Sequence, residues 1–122
     1  MPSVIRSSCL AGGWAEDRAL GLLKSRGWQL MNRNWRCRWG ELDLVMAKAG
    51  RLLVVEVKGR CSGFDGWGVA ALGSAKRRRL ARALACWQAA HPNQAQQGVE
   101  LVFALVPLPP ARGSVRWIRV EA

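Results

Sequence analysis

Residues 40–60 read GELDLVMAKAGRLLVVEVKGR, and the pairing register of this stretch governs where the chemistry of the chain is placed. Leu53, Val54 and Val55 have the apolar, β-branched character of a buried strand. The same strand then carries a carboxylate, Glu56, and an ammonium, Lys58. Upstream, the alternation of GELDLVMA predicts Leu42 and Leu44 on one face and Glu41 and Asp43 on the other. Ala49 and Gly50 suit a two-residue turn, which pairs Lys48 with Arg51 and fixes the rest of the hairpin. In that register Asp43 lies opposite Glu56, and Glu41 opposite Lys58.

Two acids facing each other across a sheet cost roughly 0.2–1 kcal/mol even when solvated. At about 5 Å and an effective dielectric near 20, their bare repulsion is about 3 kcal/mol. A divalent cation between Asp43 and Glu56 removes that cost. Two carboxylates, a backbone carbonyl and waters suit Mg²⁺ or Mn²⁺, which take oxygen ligands. Lys58 can then orient an attacking water and stabilise developing negative charge. Glu16, beside the apolar face of the first helix, is a candidate third acid, although the helix dipole alone favours an acid in a first turn. A Glu-x-Lys pair by itself is usually an exposed ion pair. It is the register with Asp43, on a very basic chain, that points to a metal site. Glu41 is the natural partner of Lys58.

The remaining chain supplies a scaffold. With 122 residues, half of them apolar, it can bury a core as one domain, residues 12–122, after a flexible start at 1–11. Gly12 to Arg26 reads as a helix with Ala15, Ala19, Leu22 and Leu23 on its apolar face, closed by Gly27. Trp28 to Arg33 reads as a strand. Ser74 is placed to cap a second helix reaching Ala90, with Leu80, Leu84 and Trp87 as its buried stripe. VELVFALVP and SVRWIRVEA give two more strands, separated by PLPPARG. The order is that of an α/β domain with a mixed central sheet of about five strands flanked by helices. Between them, Gly63 to Gly68 form a glycine-rich loop.

Lys and Arg outnumber Asp and Glu by 19 to 8, for a net charge of +11, which favours a polyanionic partner, nucleic acid foremost. The segment NRNWRCRW interleaves Arg33, Arg36 and Arg38 with Trp35 and Trp39, offering bidentate phosphate contacts and stacking surfaces. Both Trp suit core packing equally well. Arg60, at the end of the Glu56 strand, and Lys76, Arg77, Arg78, Arg79 and Arg82, on the second helix, extend the basic surface. Cys9, Cys37, Cys61 and Cys86 are too scattered for a zinc knuckle, and no segment has the length of a signal peptide or membrane span. Reduced thiols in the cytoplasm are expected.

The blocks GWAEDRALGLLKSRGWQLMNRNWRCRWGELDLV, LLVVEVKGR and SAKRRRLARALACW resemble the YraN family of small bacterial proteins. That family is similar to archaeal Holliday-junction resolvases and is grouped with the PD-(D/E)xK nucleases. The resemblance runs from about Gly12 to the C-terminus and implies a restriction-endonuclease-like fold. It implies that Asp43, Glu56 and Lys58 match the nuclease triad and Glu16 the resolvases' helix acid, and it puts Lys76 at a recurrent position. It implies a homodimer acting on branched or distorted DNA. One departure stands out: Gly98, Val99 and Glu100 replace the family's usual Arg-Phe-Asp. The expected function is Mg²⁺- or Mn²⁺-dependent DNA endonuclease. The alternatives are a nucleic-acid-binding protein that keeps the fold without turnover and an adaptor for an acidic protein, since fold and activity separate readily.

Overall fold

The computed structural model describes residues 3–60, 73–94 and 98–120. Its elements follow one another as α1 (Ser3–Ser25), β1 (Gln29–Cys37), β2 (Gly40–Lys48), β3 (Arg51–Arg60), α2 (Ser74–Ala90), a short 3₁₀ turn (Pro92–Gln94), β4 (Gly98–Pro107) and β5 (Arg116–Val120). The glycine-rich loop at 63–68 and Cys61 lie outside the described residues, as do the side chains of Cys9 and Arg60.

The strands lie side by side in the order β1-β2-β3-β4-β5. All neighbours are antiparallel except β3 and β4, which run parallel. A parallel pair needs a crossover, and α2 provides it between β3 and β4. The two helices cover opposite faces. Ala15, Ala19 and Leu23 of α1 pack on Leu44, Met46, Leu53, Val55, Ala104 and Val106. On the other face, Leu80, Ala83 and Trp87 of α2 pack on Leu42, Val45, Leu52, Val54, Phe103 and Leu105. This is an α/β domain of restriction-endonuclease-like architecture, a mixed five-stranded sheet between two helices.

Local chemistry explains the element ends. Trp28 N–H donates to Leu23 O at 3.1 Å and Gly27 N–H to Lys24 O at 3.0 Å, while Gly27 takes φ 93°. This is a Schellman closure of α1, and it needs the left-handed residue that glycine supplies. The β2–β3 turn places Ala49 at φ 45° and Gly50 at φ 78°, a type I′ geometry, and pairs Lys48 with Arg51. Trp87 is fully buried, and its indole N–H is satisfied by Asn32 Oδ1 at 2.7 Å, which ties α2 to β1.

Four expectations need correction. The first helix begins at Ser3 rather than Gly12, so the polar start is drawn into α1. The first strand runs on to Cys37, taking in most of the basic–aromatic segment. The residue before α2 is Gly73, and Ser74 is helical rather than its cap, with no side-chain cap bond present. In the α2 stripe, Ala83 is buried and Leu84 only partly so.

The alternation in β2 also breaks. Leu42 belongs to the α2-side cluster and Leu44 to the α1-side cluster. The change of face coincides with an irregularity next door in β1. Asn34 adopts φ 55°, a left-handed conformation that Asn tolerates better than most residues. The β1–β2 pairing runs Arg33↔Leu44 and then Trp35↔Leu42, stepping over Asn34 and Asp43. Arg33 consequently reaches α1, where it pairs with Glu16, whereas Trp35 packs on the α2 side. Asp43 sits at the switch point.

Candidate functional site

The regular β2–β3 ladder ends at Leu44↔Val55. Beyond it the strands are joined by acids. Asp43 N–H donates to Glu56 Oε2 at 3.1 Å, and Val57 N–H donates to Asp43 Oδ2 at 2.8 Å. The hairpin register thus does set Asp43 against Glu56, but each carboxylate reaches into the ladder and takes a backbone donor. Among the described residues the second oxygen of each accepts no hydrogen bond.

Glu56 is shielded from water and Asp43 is half-buried. Glu56 is 7% exposed, the one buried charged residue among those described. Burial, and then the adjacent Asp43 charge, push its carboxyl up to about 8, against the pull of the Asp43 N–H and of Lys76. Burial likewise pushes Asp43 up to about 6. The Val57 N–H and Lys76 oppose that shift, and the charges of Glu16 and Glu41 add to it. Desolvation outweighs repulsion at both sites, where the sequence suggested repulsion as the main cost.

Asp43 and Glu56 open into a cleft of about 310 Å³ lined also by Trp39, Glu41, Lys58, Lys76 and Arg79. Strand β3 delivers Glu56 and Lys58 to the α2 side, and the first turns of α2 bring Lys76 and Arg79 over them. The site therefore combines a buried acid, Glu56, and a half-buried one, Asp43, with Glu41 and three cations. Among the described residues, no group of three or more acidic, His or Cys side chains converges as a metal cage. Two carboxylates with free oxygens suit a cation that keeps several waters, which is the habit of Mg²⁺.

A match to the model of Uncharacterised protein family UPF0102 spans residues 15–106. The chain belongs to this family. UPF0102 is the YraN family to which the sequence blocks pointed. A UPF0102 protein of Prochlorococcus marinus (strain MIT 9303) is 56% identical over 111 residues, covering 90% of this chain and 88% of that protein. One from Synechococcus sp. (strain CC9902) is 51% identical, covering 92% of this chain and 93% of that protein. One from Bordetella avium (strain 197N) is 42% identical, covering 88% of this chain and 71% of that protein.

In this UPF0102 chain the other site candidates are placed unequally. Glu16 does not line the cleft. It faces Arg33 at 3.2 Å, which also holds Asp17 at 2.8 Å, and it acts on Asp43 only through its charge. Glu41 lines the cleft, but its ion-pair partner is Arg36 across the β1–β2 turn, at 3.4 Å, and not Lys58. Arg36 is otherwise exposed, as is Arg38. The α2 basic run divides: Lys76 and Arg79 face the cleft, whereas Arg77 and Arg78 line a separate groove with Val99, Leu101 and Arg119. Glu100, where the UPF0102 resemblance leads one to expect Asp, bonds Arg51 and Arg119 and links β3, β4 and β5.

The two ambiguous tryptophans also separate. Trp35 stands edge-on to His91, with ring centroids 6.4 Å apart, and packs on the α2-side core. Trp39 is 38% exposed and lines the cleft. One contact was invisible in the sequence. Cys37 and Cys86, far apart in the chain, share a thiol hydrogen bond that, with burial, pushes the Cys86 thiol up. Only the tertiary placement of α2 against the end of β1 could reveal it.

Proposed function

We propose that this protein is a Mg²⁺- or Mn²⁺-dependent DNA endonuclease that acts in the cytoplasm on branched or otherwise distorted DNA. The observation that carries the reading is the buried Glu56 beside Asp43, with Lys58 and Lys76 in the same cleft. Two desolvated acids whose ionised forms the fold disfavours are poised to gain from a divalent cation. Asp43 and Glu56 would hold the metal, which supplies Lewis-acid polarisation of a phosphate and acidifies a bound water.

The chain's own groups do the rest. The Val57 and Asp43 N–H groups each hold one oxygen of the two carboxylates, which leaves the other oxygen of each for a ligand. Lys58 orients the attacking water and offsets charge that develops on the phosphate. Lys76 and Arg79 approach from α2 and hold the substrate backbone in the cleft. Glu16 serves as an electrostatic neighbour of Asp43, held in place by Arg33. The net charge of +11 draws a polyanion to this face. Among the described residues no helix is long and apolar enough to cross a membrane.

The test is metal-dependent cleavage of linear, nicked, flapped and four-way DNA. Cleavage should disappear in Glu56→Gln and in Lys58→Ala, while salt-sensitive DNA binding persists in both. Equal cleavage by wild type and variants would trace the activity to a contaminant. Binding without cleavage of any substrate would leave the non-catalytic alternative in possession.

A further inference from the structure

Trp39 stands out among the described residues. Only it and Trp14, at 38% and 41%, are large apolar side chains left exposed, and only Trp39 lines the cleft of Asp43 and Glu56. Its position is set by its surroundings. Its backbone N–H donates to Cys37 Sγ at 3.4 Å, and Gly40 follows at φ 138° as the chain turns into β2. The guanidinium groups of Arg38 and Arg82 lie 5.1 and 4.7 Å from its ring centroid, one brought by the β1–β2 turn and the other by α2.

Packing does not account for this placement. Trp87 is fully buried, and Trp35 and Trp28 are partly buried against the two core clusters. Trp39 lines a polar cleft, with Arg38 and Arg82 over its ring and Lys76 and Arg79 on the same lining. A partly exposed aromatic ring with two guanidinium groups over it, beside further cations, matches a nucleotide: a flat base that can take the place of a guanidinium on the ring, and phosphates for the charges. In an intact duplex the bases are stacked on one another and cannot reach such a ring. A cleft of about 310 Å³ is at the small end for ligand pockets and is on the scale of one nucleotide, not a double helix.

We propose that Trp39 is a stacking platform for an unpaired base whose neighbouring phosphate enters the Asp43–Glu56 cleft. The site therefore prefers single-stranded or locally unpaired nucleic acid to intact duplex. This rests on reading the cleft as a phosphodiester site and adds the substrate class. Trp39 is a specificity-determining residue, and the neighbouring guanidinium groups hold its ring and the flanking phosphates.

The experiment is fluorescence anisotropy in chelator, where no cleavage occurs, with labelled oligothymidylate of about 12 nucleotides and a duplex of equal length. Trp39→Ala should weaken single-strand binding by at least about fivefold and leave duplex binding within about twofold. Trp39→Phe, which keeps an aromatic face, should restore most of the loss. A wild-type protein carrying no such variant gives a second readout: photocrosslinking to a strand with 5-iodouracil should attach to the peptide that contains Trp39. Equal weakening on both ligands, no weakening on the single strand, or crosslinks confined to other peptides overturns the proposal. A protein that cleaves without any dependence of strand preference on Trp39 loses the platform alone. One that shows the preference but never cleaves loses hydrolysis alone.

Discussion

Glu56→Gln tests the physical basis of the site without any assay of turnover. The carboxyl is pushed from 4.5 to about 8, first by burial and then by Asp43. At about 1.4 kcal/mol per pH unit, that range caps the cost of ionising Glu56 in the fold at about 5 kcal/mol. Part of the cost is shared with Asp43, itself pushed up to about 6. A glutamine keeps an oxygen for the Asp43 N–H and removes the charge, so the expected gain at high pH is about 1–3 kcal/mol. Because the folded state holds the proton more tightly than the unfolded chain, the contribution of Glu56 is best below about pH 4.5. It is lost progressively as pH climbs to about 8 and is constant above that.

Chemical denaturation of both proteins in chelator, from about pH 4 to 9, measures this directly. The other carboxylates titrate in both proteins, so the difference between the two curves reports Glu56 together with its interaction with Asp43. That difference should be smallest below about pH 4.5, grow across the window and level off above about 8. Millimolar Mg²⁺ or Mn²⁺ should then stabilise the wild type at high pH and leave Glu56→Gln nearly unmoved, since only the native wild type binds the ion. A variant that is less stable than wild type at pH 9, with an unchanged pH slope, would refute the reasoning. It would mean that Glu56 is satisfied as a carboxylate and the fold has no use for a cation there.

Three further outcomes follow from the geometry. Lys76→Ala with Arg79→Ala should lower the salt slope of DNA binding by about 1.5–2, measured as log K against log salt, and by more than Arg77→Ala with Arg78→Ala, because only the first pair faces the cleft. Ala49→Asn should raise stability by about 0.5–1 kcal/mol in a urea titration, since Ala49 sits at φ 45° in a type I′ turn that favours Asn. Trp87→Phe should destabilise by about 1–3 kcal/mol in the same titration, because it leaves Asn32 Oδ1 unpaired and a void beneath α2.

What the sequence could reveal depended on whether a residue's place was set by its neighbours in the chain or by a distant element. The hairpin was legible because a two-residue turn leaves a single register. Counting from Ala49 and Gly50 brings Asp43 to Glu56, and the pairing Lys48↔Arg51 starts that count. The crossover helix was legible from its apolar stripe and the parallel strand that follows. Faces were harder. Strict alternation fails where the β1–β2 register shifts between Leu30 and Asn32 and where Asn34 takes φ 55°, and nothing in LMNRNWRC announces either. Across Asn34 the faces exchange, with Arg33 on the side of Glu16 and Trp35 packed on the α2-side core. Glu41, expected to meet Lys58, instead meets Arg36, its direct cross-strand partner beside the β1–β2 turn.

The same irregularity accounts for the site itself. A regular ladder would have spent the Asp43 and Val57 N–H groups on backbone carbonyls and left both carboxylates on the sheet surface, solvated and near their ordinary pKa values. Where the ladder stops, the carboxylates take over as acceptors and are drawn in among the apolar layers. Burial then raises both pKa values, and that cost is the reason a cation would bind. Trp39 and Lys76 line the cleft beside the end of the ladder at Leu44↔Val55. A local break in pairing thus creates the acid pair, its electrostatic strain and the cleft in front of it. Neither half of the hairpin shows this when read as an isolated strand.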